Sequence, residues 1–417
     1  MMLRKKKQLP DPIIDKRALV LSGGGARAAY QVGVLKAIAE ILPEQAPNPF
    51  PIICGTSAGA INAATLASHP GTFQESVDNL ERVWRNLSPE RIYHTSTRSL
   101  LRSLLRIGLS LFNQGATETK PLSLLDNAPL MTLLREEVDF DRLDDAIGSG
   151  ALEALCVTAM GYSTGQSVSF FQGHPQLLPW RRAQRVGSPC ELTHDHLLAS
   201  SAIPTIFPAV KIHREYFGDG ALRQMAPISP ALHLGANHIL VVGVSGNRNP
   251  VHWGRRRSVR HTPSMAQIMG QMFNSAFIDA MESDIEHLER INRLLGLIPE
   301  ETRRQEGLPL RRVESLIVSP SEEIDLIAGR KVRSLSRALR FALNAVGATK
   351  RGGGATAASY LLFTADFCGT LIDLGYKDTM WERAAIESFF DLSASNGAPP
   401  TPVPTRADAE VGIRKTS

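Results

Sequence analysis

Apolar side chains run unbroken through Ala18-Leu19-Val20-Leu21 and stop at Ser22 and three glycines, which predicts a short buried strand from Arg17 to Ser22. From about Ala28 to Leu42 apolar positions return every three or four residues, so a helix follows. A second apolar run, Pro51 to Cys54, leads into Gly55-Thr56-Ser57-Ala58-Gly59 and an Ala-rich helix. The strand, loop, helix unit is thus repeated with a different loop, and such alternation builds a parallel sheet covered by helices.

Further strands are expected at Leu155 to Met160, Gln166 to Phe171, His238 to Gly243 and Glu314 to Val318. The stretch from Ser88 to Gly150 is helical and irregular and reads as a cap or insertion. Between Pro263 and Leu295 the apolar residues keep helical spacing, which predicts one long helix, bent or straight. Basic helical sequence then runs to about Gly347, a glycine break falls at Gly352 to Gly354, and order is expected to end near Leu392. Ser393 to Ser417, rich in Ala, Pro, Thr and charge, reads as a mobile tail. The resulting division is a basic N-terminal segment 1–16, an α/β domain 17–245 with insertion 88–150, a mainly helical C-terminal extension 246–392, and a disordered tail 393–417.

Composition narrows the class. With 43% apolar and 21% charged residues, the 417-residue chain is an ordinary globular protein, neither disordered nor integral to a membrane. Its 46 basic and 41 acidic residues leave a charge of +5, which favours anionic surfaces without naming one. Cys54, Cys156, Cys190 and Cys368 are scattered without a C-x-x-C pair, so neither a disulfide framework nor a thiolate zinc site is expected, and a reducing, cytoplasmic compartment fits best. Met1 to Lys7 is basic but gives way to Gln8, Pro10, Asp11 and Pro12, so no signal peptide is expected. No apolar run is long enough to span a bilayer.

The chemistry begins with Gly55-Thr56-Ser57-Ala58-Gly59, a G-x-S-x-G elbow between strand and helix. Gly55 and Gly59 permit the strained turn, and Ser57 sits at the positive end of the helix dipole. Gly23-Gly24-Gly25-Ala26-Arg27 lies between the first strand and its helix, a ready cradle of backbone N–H groups for an anion such as a tetrahedral oxyanion. Arg27 would hold this loop through carboxylates or carbonyls. Gly23, Gly25 and Ala28 also satisfy a dinucleotide fingerprint, but the acidic ribose partner is missing, since the second strand ends in Cys54 and Gly55. Ser57 needs a base, and the best candidate is Asp219 in Tyr216-Phe217-Gly218-Asp219-Gly220-Ala221, where aromatic neighbours should dry the carboxyl and raise its pKa.

With these motifs in order, the sequence resembles the patatin-like phospholipase family. That family joins a G-G-G-x-R loop, a G-x-S-x-G elbow and a later D-G-[GA], here Gly23 to Arg27, Gly55 to Gly59 and Asp219 to Ala221. Ala199 to Pro204, running on to Phe207-Pro208, is similar to a family segment that precedes its aspartate, and the likeness covers residues 17 to 245. Downstream, the long helix and Ser359 to Phe363 look like the C-terminal part of larger bacterial members. The resemblance implies a three-layer α/β/α core with a mainly parallel central sheet, a helical insertion and a helical C-terminal extension. It implies a Ser57–Asp219 dyad, an oxyanion hole built by Gly23, Gly24, Gly25 and Arg27, and an acyl-enzyme intermediate. It also implies a lipid or phospholipid substrate, no metal or other cofactor, no nucleic acid, and peripheral contact with a membrane surface.

Weaker patterns have plainer explanations. Arg98, Arg102 and Arg106 recur among leucines, which suits a cap helix packed on the core better than an interfacial helix. Arg255 to Arg260 and Arg330 to Arg340 read as solvated faces. Glu191, His194 and His196 lack the helical i, i+4 spacing of a metalloprotease site. A Ser-His-Asp esterase using His233 or His238 stays open as the rival, although such folds place the elbow after several strands and Ser57 follows only the second.

Overall fold

The computed structural model describes residues 16–94, 105, 123–245, 265–275, 280–306, 310–332, 340 and 355–392. Residues 1–15, Arg98, Arg102 and Arg106, the Arg255 to Arg260 run, most of the basic run after Arg330, the Gly352 to Gly354 break and the tail lie outside these residues.

Among the described residues ten strands form one sheet: β1 (Arg17–Leu21), β2 (Ile52–Thr56), β3 (Ala154–Gly161), β4 (Ser167–Gly173), β5 (Trp180–Arg182), β6 (Arg185–Pro189), β7 (Val210–Ile212), β8 (Glu215–Asp219), β9 (His238–Val242) and β10 (Glu314–Val318). Along the main path their order is β10-β9-β1-β2-β3-β4-β6-β5, and the first five are mutually parallel. Strands β1, β2 and β9 are buried over almost their whole length, which is why each reads as a continuous apolar run. Because parallel strands end on the same edge, β1 delivers the glycine loop and β2 the serine elbow to one rim of the sheet.

Helices α1 (Ala29–Ile41), α2 (Ala58–Ala67) and α3 (Phe73–Arg85) follow the first two strands. In α3 the buried positions Phe73, Val77, Leu80, Val83 and Trp84 form one stripe, and Thr72 with Glu75 closes its start as a capping box. Where one helix was expected from Pro263 to Leu295, two are described, Met265–Asn274 and Ala280–Gly296, on either side of residues outside the described set.

The chain beyond residue 245 packs back onto this core. Strand β10 extends the sheet by pairing with β9, and the helix Ala365–Trp381 lies against α1. That crossing is close enough that a Cβ on Gly33 would run into the Ile372 carbonyl oxygen, and one on Gly375 into that of Tyr30. In an open helix Gly→Ala stabilises by about 1 kcal/mol. Here Gly375→Ala should instead lower stability by about 1–3 kcal/mol through overpacking. A thermal midpoint at or above that of the wild type would contradict the close crossing.

Candidate active site

Strand β3 brings the two motif residues together. Its Thr158 pairs with Thr56, the residue before Ser57, while its next residue, Ala159, pairs with Asp219 at the end of β8. β2 leaves the sheet at the elbow, and β8 takes up the pairing on β3 one residue further on. The outcome is a hydrogen bond of 2.6 Å from Ser57 Oγ to Asp219 Oδ2, across 162 residues of sequence.

The elbow is strained as its sequence requires. Ser57 has φ 55° and ψ −131°, a conformation that side-chain-bearing residues rarely adopt. A Cβ on Gly55 would strike Ala60, and one on Gly59 would strike the Leu21 carbonyl, so both flanking glycines are required by space. The Ala199 to Pro204 segment ties the halves together. Ser200 Oγ accepts the Ser57 N–H at 2.8 Å and donates to the Thr158 carbonyl at 2.6 Å, while the Ala202 carbonyl accepts the Asp219 N–H at 2.9 Å. Nothing in the sequence set Ser200 apart from its serine and alanine neighbours.

Asp219 is fully buried, and this burial pushes its carboxyl up to about 7, against the opposing pull of hydrogen bonds from Ser57 and from the Ala221 N–H at 3.0 Å. Gly220 is pressed against the Thr158 carbonyl, and Tyr162 sits against Gly218, where burial and the nearby Asp219 charge raise the phenol's pKa. A carboxylate that titrates near neutrality and touches a hydroxyl can accept its proton when that hydroxyl attacks.

In the glycine loop the N–H of Ala26 goes to the Tyr360 carbonyl at 3.0 Å and that of Arg27 to the Gly24 carbonyl at 3.1 Å. The N–H groups of Gly24 and Gly25 have no acceptor among the described residues. Gly25, with φ +54°, lines the same cavity as Ser57, whereas the Arg27 side chain is buried on the far side against Asp325, Ser359 and Tyr360. Arg27 therefore anchors the loop, and neither its main-chain N–H nor its guanidinium is open to the cavity.

Beside Ser57 lies an apolar cavity of about 50 Å³, walled by Ile61, Trp84, Leu130, Leu133, Phe207 and Phe363 among others. Ser57 itself is 1% exposed. A volume near that of one or two water molecules means that a larger apolar group enters only by parting these side chains.

The candidate histidines lie elsewhere. His238 opens β9 in register with Arg17, four residues along from Val242 and Leu21 at the elbow's rim, and faces Glu314 at 3.6 Å. His233 stacks on Trp180 at 4.9 Å. His194 bonds the Val138 carbonyl at 3.1 Å and His196 caps its own helix through Thr193, so neither is shared with Glu191.

The family profile described as patatin-like phospholipase matches residues 19–232, half of the chain, and includes both Ser57 and Asp219. The chain belongs to the patatin-like phospholipase family. Its three-layer arrangement, a central sheet with helices on both sides and a helical C-terminal region, is the fold that the sequence predicted. Among its patatin-like relatives, a cGAMP-activated phospholipase of Pseudomonas aeruginosa is 29% identical over 215 residues, which are 52% of this chain and 55% of the relative. Calcium-independent phospholipase A2-gamma of Rattus norvegicus is 24% identical over 54% of this chain and 27% of its own. The lysophospholipase nte1 of Aspergillus terreus is 55% identical over 49 residues, 12% of this chain and 3% of its own. The matched region thus spans about half or less of these relatives. Among solved structures, human GIVD cytosolic phospholipase A2 covers 93% of this chain and 62% of its own at 12% identity, with a TM-score of 0.38. Likeness at that level carries no mechanism.

Proposed function

We propose that this patatin-like protein is a lipid acyl hydrolase that cleaves carboxylic esters of phospholipids or related lipids through Ser57 and Asp219. The observation that carries the reading is the 2.6 Å contact between the two side chains beside an apolar cavity. Asp219 takes the Ser57 proton as Ser57 Oγ attacks the ester carbonyl. The negative charge gathers on the carbonyl oxygen, and the N–H groups of Gly24 and Gly25 receive it. Asp219 then passes its proton to the departing alcohol, leaving an acyl-Ser57 ester. Water, deprotonated by the same carboxylate, splits that ester and restores the site. The named activities of the relatives, phospholipase and lysophospholipase, supply the substrate class.

A base that works only when ionised fixes the pH dependence. With the Asp219 carboxyl pushed up to about 7, kcat/KM should rise about tenfold per pH unit below neutrality and level off above it. Purified protein on diacyl phospholipid vesicles, with released fatty acid and lysolipid scored across pH, is the test. The proton transfer runs through a carboxylate alone, so chelator should leave the rate unchanged. A rate that peaks in acid and falls towards neutrality would remove Asp219 as the base.

A further inference from the structure

We infer that the C-terminal segment sets the geometry of the oxyanion loop, making Tyr360, through its carbonyl, and Asp325, through Arg27, positioning residues for acylation of Ser57. The inference rests on the hydrolase reading above.

Consecutive glycines form the most permissive backbone a protein has, so a loop that must aim two N–H groups at one point needs something to hold it. The Tyr360 carbonyl supplies one hold. It accepts the Ala26 N–H at 3.0 Å and fills the space where a Gly25 side chain would stand, and the next two N–H groups upstream have no acceptor among the described residues. Arg27 supplies the second. Its guanidinium donates to Ser359 Oγ at 2.7 Å and Asp325 Oδ1 at 2.5 Å, and lies 4.2 Å from the centre of the Tyr360 ring. Asp325 is held in turn by Thr356 Oγ1 at 2.6 Å. The Arg27 side chain is 3% exposed, so the ion pair is shielded at that end. Truncating one partner of a shielded pair leaves the other uncompensated.

All of these partners fall after residue 232, where the family match ends. Three residues beyond Tyr360, Phe363 lines the cavity beside Ser57, so one segment touches both the loop and the acyl side of the site. A contact that only glued the segment down would change stability and leave the chemical step alone. One that aims the loop changes the chemical step.

The experiment uses the full chain with Asp325→Asn, which keeps shape and removes charge, and Asp325→Glu, which keeps charge. Asp325→Asn should lower kcat, and the rate of reaction with a fluorophosphonate, by about tenfold or more. KM should stay within twofold and the pH midpoint should not move, while Asp325→Glu recovers part of the loss. If Asp325→Asn does not fold, Thr356→Val, which removes only the hydroxyl steering Asp325, should give a smaller loss of the same pattern. Folded variants with unchanged kcat, or with KM alone altered, overturn the inference while the hydrolase reading stands. Wild-type protein that takes up no fluorophosphonate and releases no fatty acid overturns both.

Discussion

Ser57→Ala should abolish ester hydrolysis, with kcat falling by about 10⁶ where a serine nucleophile is removed from its constellation. The substitution deletes one oxygen, the atom that donates to Asp219 at 2.6 Å, and leaves the backbone of the elbow in place. Alanine tolerates φ 55° no better than serine does, so the strain in the turn is unchanged and the fold should persist. Fluorophosphonate treatment followed by peptide mass analysis should find the adduct on Ser57 in the wild type and none in the variant. If the variant keeps more than about 1% of the wild-type rate, the water-catalysed background that oxyanion stabilisation alone provides is exceeded, and the nucleophile lies elsewhere.

Asp219→Asn should act on rate and stability in opposite directions. An amide is no base near neutrality, so kcat should fall by about 10⁴, the scale of losing the carboxylate from a serine hydrolase constellation. Stability follows from linkage. In the folded chain the carboxyl keeps its proton up to about pH 7, whereas in the unfolded chain it releases it near 3.8. Between those limits the folded state binds more protons, so wild-type stability falls as pH rises from about 4 to 7 and then levels off. The whole effect is of the order of 4 kcal/mol. Asparagine abolishes this titration, so the variant should melt above the wild type at pH 8, and the gap should close towards pH 4. A gap that is the same at both pH values would mean the carboxyl does not pass from water to a dry interior on folding.

Much of this arrangement is legible in the sequence, for identifiable reasons. Strands β1, β2, β9 and β10 appear as short apolar runs, the first three of them because burial on both faces removes polar positions. The elbow and the glycine loop are legible because space forbids any side chain at Gly25, Gly55 and Gly59. Strands β5 and β7 are not, since each has three residues with a single buried one. Asp219 reads from sequence as a residue on a turn, but it ends β8, a strand whose exposed Tyr216 and flanking Glu215 break the apolar pattern. The hold of Tyr360 on Ala26 is invisible for a deeper reason: it acts through a carbonyl, which every residue possesses.

Ser57 and Asp219 are both referred to consecutive residues of β3, through Thr56 on one and Asp219 itself on the next. The two side chains thus share one mount, and their separation is set by the register of β2 and β8 on that strand. Side chains that wall the apolar cavity, such as Leu130 and Leu133, can therefore be exchanged without resetting the 2.6 Å separation of the two oxygens.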